Sequence, residues 1–269
     1  MKVFELEQEL FTCFPATDAE LWDRVGLSVG SPDDAVQSIC CALDATPSTV
    51  AYAAQVGANV LLTHHPAFLD PPVRICPPGK RIPSSAATVY KAIEMGVSII
   101  SMHTNLDRSL MAREWLARHL GLQARASLEH PEDSDLPGLG FICDAPQAMN
   151  LRVLAEHTGR ALRTTPRVWG DPDRSLSRIA VLGGSLGSFG EAALRAEAEV
   201  IITGEAGYHV CQDLAARGSA LILVGHDRSE EPFVGLLQKT AAEIAPGVST
   251  QRIDLHTKQW WTQQEGYRS

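Results

Sequence analysis

Histidines and a glutamate stand where several apolar segments of this sequence end. His64 and His65 follow one such segment directly, and His103 and His226 follow two others. Glu205 closes a fourth. Two adjacent imidazoles after an apolar run have no obvious role in packing, whereas imidazole and carboxylate groups are common metal ligands. The pattern therefore indicates a metal site assembled from distant parts of the chain.

Two spacings of four residues strengthen this prediction. His103 and Asp107 stand in HTNLD, and His226 and Glu230 stand in HDRSE. An offset of four places two side chains on one face of a helical turn, close enough to share a cation. Histidines and carboxylates without thiolates suit Zn, Fe, Mn or Ni in a hydrolytic site, and bridging carboxylates would allow a pair of metals that activates a water.

Each of these residues also has an ordinary structural interpretation. A histidine at a strand end is often only hydrogen-bonded or solvated. Asp107 could cap the helix that opens at Ser109, and Glu230 could complement a helix N-terminus with Ser229 as its cap. The joint pattern, rather than any single residue, carries the metal-site prediction.

The segment GGSLGS (183–188) is a candidate anion-binding loop, because it follows a predicted strand and opens a predicted helix. Gly184, Ser185 and Ser188 would contact the anion. The segment lacks the lysine of a P-loop and the spacing of a dinucleotide-binding fingerprint. A tight turn is therefore an equal alternative.

Three residues are positional candidates for a proton shuttle, namely His103, Glu205 and His209, of which His209 could instead lie on the surface. Asp44 follows another apolar run and could orient a metal-binding imidazole. An N-cap role before Thr46 is the alternative for Asp44.

Short apolar runs alternate with alanine-rich segments of helical period, which predicts an α/β fold with mixed, largely parallel sheets. The predicted strands are SICCALD (38–44), NVLLTHH (59–65), VSIISMHT (97–104), LGFICDA (139–145), RIAVLGG (178–184), EVIITGE (199–205) and ALILVGH (220–226). The predicted helices are 46–57, 85–96, 109–121, 189–198 and 206–218, and several end in glycine, at Gly57, Gly96, Gly121 and Gly218.

The polar, proline-containing segment EHPEDSDLPG (129–138) predicts a junction between two α/β lobes. We expect residues 1–125, completed by 236–269, to form the first lobe and residues 126–235 to form the second. Ligands of open α/β sheets bind beyond the carboxyl ends of the strands. If the two lobes face each other, the metal site is expected in the cleft between them.

Composition limits the classes of function. Of the 269 residues, 45% are hydrophobic and 20% are charged, which is typical of a globular protein, and the net charge of -9 makes nucleic acid an unlikely partner. Glutamates interrupt the N-terminal segment, and no apolar segment is long enough to span a bilayer, so we expect a cytoplasmic protein that does not bind membranes. The six cysteines lack CxxC spacing, which predicts buried, reduced thiols.

Seven motifs together resemble the dinuclear-metal-centre hexameric protein family, whose members are also called GTP cyclohydrolase 1 type 2 homologues. The motifs are WDRVGLSVG (22–30), LDATPSTV (43–50), GANVLLTHHPAFL (57–69), MHTNLD (102–107), GGSLGSF (183–189), ITGEAGYH (202–209) and GHDRSE (225–230). The resemblance implies a two-lobed α/β subunit in a toroidal homohexamer, with two divalent metal ions per subunit.

Carried onto this sequence, the family motifs imply His64, His65, Asp107, His226 and Glu230 as metal ligands, with the acidic residues bridging the ions. Two functions follow as hypotheses. One is a metal-dependent hydrolase of a small, nucleotide-like substrate. The other is a metal-binding or metal-handling protein whose site serves storage, delivery or regulation without turnover. Open coordination positions would favour the hydrolase, and saturation of both metals by protein ligands would favour metal handling.

Overall fold

The computed structural model describes residues 1–147 and 149–253, which form two compact units. One unit comprises Met1–Leu106 and Val234–Ser269, and the other comprises Asp107–Phe233. Residues 254–269, which the sequence assigns to the first lobe, lie outside the described residues.

In the described part of the first unit, parallel strands form most of a five-stranded sheet with the order β1-β4-β3-β2-β10. Strand β1 alone of these runs antiparallel, beside β4. Every residue of β2, β3 and β4 is buried, which is why these strands read as continuous apolar runs in the sequence. The bounds are β1 Gly26–Val29, β2 Ser38–Ala42, β3 Val60–Thr63, β4 Ser98–Ser101 and β10 Ser249–Arg252, with helices α1 Val3–Cys13, α2 Pro47–Gln55 and α3 Ser84–Met95.

The second unit, as far as it is described, contains another five-stranded sheet with the order β5-β7-β8-β9-β6. Its central strands β7, β8 and β9 are parallel, and β5 and β6 flank them antiparallel. The bounds are β5 Phe141–Asp144, β6 Arg167–Trp169, β7 Arg178–Ser185, β8 Val200–Glu205 and β9 Ala220–Leu223, with helices α5 Leu110–His119, α6 Leu151–Ala161, α7 Phe189–Arg195 and α8 Tyr208–Ala216. Two helices contain residues of both units, α4 Thr104–Arg108 and α9 His226–Ile244.

These sheets confirm the predicted α/β fold with mixed, largely parallel sheets. Each of the seven predicted strands and five predicted helices is present, with ends shifted by a few residues. The four predicted helix-ending glycines adopt positive φ, as at Gly96 with φ 63°, a conformation that residues with a Cβ adopt at a cost.

Several elements are absent from the sequence prediction, among them β1, β6, β10, α1, α6 and α9. Strand β6 has three residues, and β10 has the polar sequence STQR at the edge of its sheet. Helix α9 contains Pro232, a residue that usually marks the end of a helix. Weak patterning accounts for β6 and β10 and the internal proline for α9, whereas α1 and α6 carry buried residues at helical spacing that the prediction overlooks.

The unit boundary precedes the predicted junction, because α5 packs with the second unit. The Trp115 indole donates a hydrogen bond to the Pro232 carbonyl at 2.7 Å, and the His157 ring donates one to the Leu120 carbonyl at the same distance. Arg108, just before α5, pairs with Glu129 at 2.8 Å. Residues 107–125 thus belong with the unit that follows them, while the cleft expected between the lobes stays a prediction.

No helix in the described ranges is long and apolar enough to cross a membrane. All six cysteines carry free thiols. Four of them are buried, as predicted, whereas Cys13 and Cys76 are partly exposed.

Candidate metal centre

Three imidazoles meet at the carboxyl ends of two neighbouring strands in the first unit. Strands β3 and β4 are parallel, and their last residues, Thr63 and Ser101, are paired. The chain continues from these ends into His64 and His65 on one strand and toward His103 on the other. One ring nitrogen of each histidine lies within 4.8 Å of the other two, and the ring centroids of His64 and His103 are 5.2 Å apart. This separation allows the three rings to contact a common cation.

Each ring of this histidine cluster (His64, His65 and His103) is oriented through its Nδ1 atom. In His64, Nδ1 donates to the Met102 carbonyl at 3.0 Å. In His65, Nδ1 lies 2.8 Å from a carboxylate oxygen of Asp44. An acceptor at Nδ1 keeps the proton on that atom and leaves the lone pair on Nε2, which is the usual state of a metal-binding imidazole.

Asp23 orients the third ring. Its carboxylate is buried and accepts from His103 Nδ1 at 2.9 Å and from the Thr104 backbone N–H at 3.0 Å. Burial by itself would raise the pKa of Asp23, but these hydrogen bonds and the charge of His103 outweigh it and hold the pKa well below its usual range. Asp23 is therefore an anion that holds the ring in place.

The second unit presents a histidine between two carboxylates. His226 begins α9, and its Nδ1 lies 2.9 Å from Glu205 at the end of β8. Its Nε2 lies 3.1 Å from Glu230, four residues further along α9. The offset of four thus falls on a helix and brings the two side chains together, as the spacing predicts.

Glu230 is buried, and a glycine makes room for it. A Cβ atom on Gly184 would collide with the Glu230 carboxylate, and Gly184 adopts φ +61°. The hydroxyl of Ser229 accepts from the Gly184 N–H at 2.8 Å and donates to the His226 carbonyl at 2.7 Å. These contacts fix the loop against the first turns of α9.

The same contacts favour the tight-turn interpretation of GGSLGS. The Gly184 N–H is already donated to Ser229, and Ser185 is paired with Glu205 in the sheet. Ser188 precedes α7, a helix of seven residues, without capping it through its side chain. The Gly184 amide predicted for an anion therefore serves the turn.

Asp107 is half-buried on the short helix α4, after His103. It does not cap α5, because Ser109 is the N-cap of that helix and accepts from the Ala112 N–H at 3.0 Å. In the same way, α9 begins at His226, so Ser229 is not its N-cap. The capping alternatives are therefore wrong for Asp107 and for Ser229, while metal binding by Asp107 stays a prediction.

The structure gives different roles to the proton-shuttle candidates. Glu205 accepts from His226 and so orients a ring. His209 is exposed on α8 and packs edge-on against Tyr208, with ring centroids 5.2 Å apart. His103, backed by Asp23, is the candidate whose setting resembles an acid–base group.

Asp44 takes the orienting role, since Thr46 caps α2 by accepting from the Thr49 N–H. Sequence reasoning missed Asp23 and Ser229 as contributors. Asp23 lies 80 positions before His103, so no spacing connects the two residues. Its presence in the motif WDRVGLSVG was the one signal that could have pointed to it.

Comparisons with known proteins identify the family of this chain. Residues 1–259 match the family model of Duf34/NIF3 (NGG1p interacting factor 3). The chain therefore belongs to the Duf34/NIF3 family.

Among its relatives, a "GTP cyclohydrolase 1 type 2 homolog" of Clostridium acetobutylicum is 29% identical over 245 residues, which is 89% of each chain. The protein of the same name from Streptomyces coelicolor is 29% identical over 91% of this chain and 87% of its own. A solved structure of a Staphylococcus aureus hypothetical protein has a TM-score of 0.86 at 24% identity, covering 97% of this chain and 99% of that one. A Bacillus cereus protein related to NIF3 also has a TM-score of 0.86, at 22% identity, with the same coverage. These two structures share the fold.

Proposed function

We propose that this protein binds two divalent cations per subunit and uses them to hydrolyse a small, nucleotide-like substrate. The proposed ligands are His64, His65, Asp107, His226 and Glu230. The observation that carries the proposal is the hydrogen bonding of the imidazole Nδ1 atoms. His64 and His65 each have an acceptor at Nδ1, which leaves the lone pair of Nε2 for a metal ion.

The donor set fits the metals Zn, Fe, Mn and Ni. Imidazole suits Zn, Fe and Ni, and carboxylates suit Mn. Carboxylates can also bridge two ions, a role we assign to Asp107 and Glu230. The buried thiols of the chain are not part of the set, since Cys40 and Cys41 belong to β2. A bound divalent cation would supply a nucleophile at neutral pH by lowering the pKa of water.

His103 is proposed as the group that moves a proton. Its Nδ1 is held by the buried Asp23, and its ring meets those of His64 and His65 at near right angles, with centroid distances of 5.2 and 5.5 Å. The carboxylate would stabilise the protonated ring while Nε2 receives or returns the proton. Replacing His103 with glutamine should remove turnover and retain the bound metal. Loss of metal in this variant would indicate that His103 is a metal ligand and not the proton-transfer group.

The substrate class and the assembly rest on similarity. The relatives carry the name of a GTP cyclohydrolase homologue, which supports a nucleotide-like substrate. The proposed toroidal homohexamer rests on the family resemblance, and sedimentation of the metal-loaded protein would measure its mass.

The proposal is tested with His65→Ala and with His119→Ala as a matched control. His119 is exposed on α5 and its ring lies 3.2 Å from the Ala161 carbonyl, outside the histidine cluster. The readouts are metal content by mass spectrometry, fold by circular dichroism, and hydrolysis in an unbiased metabolite screen of metal-loaded protein. We expect His65→Ala to lose metal and activity while it retains its fold, and His119→Ala to match the parent.

Two results would change the conclusion. Unchanged metal content in His65→Ala would contradict the ligand assignment. Full metal loading of the parent with no turnover of any metabolite would contradict the hydrolase and leave storage, delivery or regulation of metal as the function.

A further inference from the structure

A second cluster of charged side chains lies in the second unit, at the end of its sheet where β7 begins. Strand β7 begins at Arg178 and ends at Ser185, which is paired with Glu205. An eight-residue strand is roughly 23 Å long at about 3.3 Å per residue. Arg178 and the side chains around it are thus far from the Glu205–His226 pair. A site at this edge is independent of the proposed metal centre.

A cavity of about 360 Å³ opens at this edge, within the second unit. Its walls include Arg125, Arg178 and Arg195, and its apolar floor includes Ile142 and Ala196. Cavities that bind small molecules begin at about 300 Å³, so this one can hold a small metabolite.

Two of the guanidinium groups are only partly used by the protein. Arg125 contacts Asp144 through Nη1 alone, at 2.9 and 3.0 Å from the two carboxylate oxygens. Arg178 uses Nη1 alone, for the Ala196 carbonyl at 3.0 Å and for Glu197 at 3.2 Å. The Nε and Nη2 groups of both arginines have no partner among the described residues, so they remain donors for a ligand.

Arg195 has more donors to offer. Its side chain forms no hydrogen bond or ion pair with any residue that the structure describes, and it is exposed at the end of α7. Glu191, one turn earlier on the helix, forms its ion pair with Arg217, while the nearby charge of Arg195 helps to lower the pKa of Glu191. The cavity therefore has one guanidinium group whose charge no carboxylate neutralises through direct contact.

A residue with left-handed backbone conformation lies just after α7 and lines the cavity. Glu197 follows the helix with φ 59°, a left-handed conformation that usually belongs to glycine at this position. The glutamate side chain there makes an exposed ion pair with Arg178, which also lines the cavity. A glycine would relieve the strain and lose this contact.

We propose that this cavity is a binding site for a small phosphate-bearing metabolite. Phosphate oxygens accept hydrogen bonds in several directions, which matches three guanidinium groups with unused donors. Glu132 also lines the cavity and has no partner among the described residues, so it would accept from a hydroxyl or amine of the same molecule. The site would bind its ligand whether or not the metal centre hydrolyses a substrate.

Isothermal titration of the metal-loaded 269-residue chain with inorganic phosphate at constant ionic strength tests the site. The variants are Arg195→Gln and, as matched control, Arg152→Gln, an exposed helical arginine whose described ion pair is with Asp173. We expect Arg195→Gln to weaken phosphate binding about tenfold, because it removes charge-assisted hydrogen bonds, and Arg152→Gln to bind as the parent does. Glu132→Gln should tighten binding, because it removes a negative charge from the wall.

Absence of phosphate binding by the parent in the millimolar range would overturn the proposal. Equal affinity of Arg195→Gln and the parent would overturn it as well, because the phosphate would then be bound elsewhere. Thermal unfolding of each variant checks whether its fold is intact. We expect an intact fold, because Arg195 and Glu132 are exposed.

Discussion

Replacement of Asp44 should weaken metal binding although Asp44 is not a proposed ligand. Its carboxylate lies 2.8 Å from Nδ1 of His65 and keeps the lone pair of that ring on Nε2. Without this partner the ring can rotate, and its proton can move to the nitrogen that would bind the metal. Asp44→Ala removes the acceptor, and Asp44→Asn keeps an acceptor but removes the charge.

The magnitude follows from the exposure of the pair. Loss of such a partner usually costs about 10- to 100-fold in metal affinity. The side chains of His65 and Asp44 are 21% and 33% exposed, so solvent replaces part of the interaction and the lower end of that range applies. We expect about tenfold weaker binding for Asp44→Ala, or about 1.4 kcal/mol. A charge-assisted hydrogen bond is roughly twice as strong as a neutral one, so Asp44→Asn should lose about threefold.

Competition between the protein and a chromophoric chelator for Zn²⁺ measures these affinities. Asp33→Ala is the control, since Asp33 lies in the same unit and makes an exposed ion pair with Lys2. Circular dichroism and urea unfolding of the metal-free variants separate a change in affinity from a change in stability. Equal affinity of Asp44→Ala and the parent would refute the reasoning, because the Nδ1 contact would then have no influence on the metal-binding nitrogen.

Three further predictions concern the rest of the second unit. Burial would raise the pKa of Glu129, but hydrogen bonds from Arg108 outweigh it and lower the pKa. This carboxylate therefore stabilises the fold above about pH 4.3. Its contribution is lost as the pH falls through the lowered pKa. Glu129→Gln should therefore reduce the free energy of unfolding by roughly 1 to 2 kcal/mol at pH 7, with a difference that shrinks in more acidic urea titrations. Burial raises the pKa of Cys143 to about 12, so iodoacetamide at pH 8 should leave this thiol unmodified until the protein is denatured, as peptide mapping would show. Gly184→Ala should reduce the free energy of unfolding by about 1 to 3 kcal/mol and lower the metal content, because its Cβ would displace Glu230.

Each of these predictions has an internal comparison. Glu156→Gln, at an exposed position on α6, should leave the free energy of unfolding unchanged at pH 7 and in the more acidic titrations. Cys76 is partly exposed and should react in the native protein, and early modification of Cys143 would contradict its burial. Gly187→Ala has a similar positive φ and open space around it, so equal metal loss in both glycine variants would show that backbone strain, not the contact with Glu230, is responsible.

Much of the fold could be predicted because its central strands are buried on both faces. Strands such as β3 and β9 must be continuous apolar runs, and the intervening helices end at glycines that adopt positive φ. The edge strands β6 and β10 escaped prediction, because an edge strand is partly solvated and needs no apolar run. Helix α5 shows a different limit, since a sequence pattern does not reveal which sheet a helix packs against.

The sequence by itself determined which groups are available for metal chemistry: histidines and acids directly after apolar strands, at offsets that a helical turn brings together. It could do so because strand ends and helical periodicity are local properties of the chain. Only the tertiary structure decided how each ring is held, through Asp23 on His103 and Asp44 on His65. Those partners are remote in sequence, so no local pattern predicts them. The packing of the sheet brings them to the rings and thereby sets which nitrogen of each imidazole is left to bind a metal.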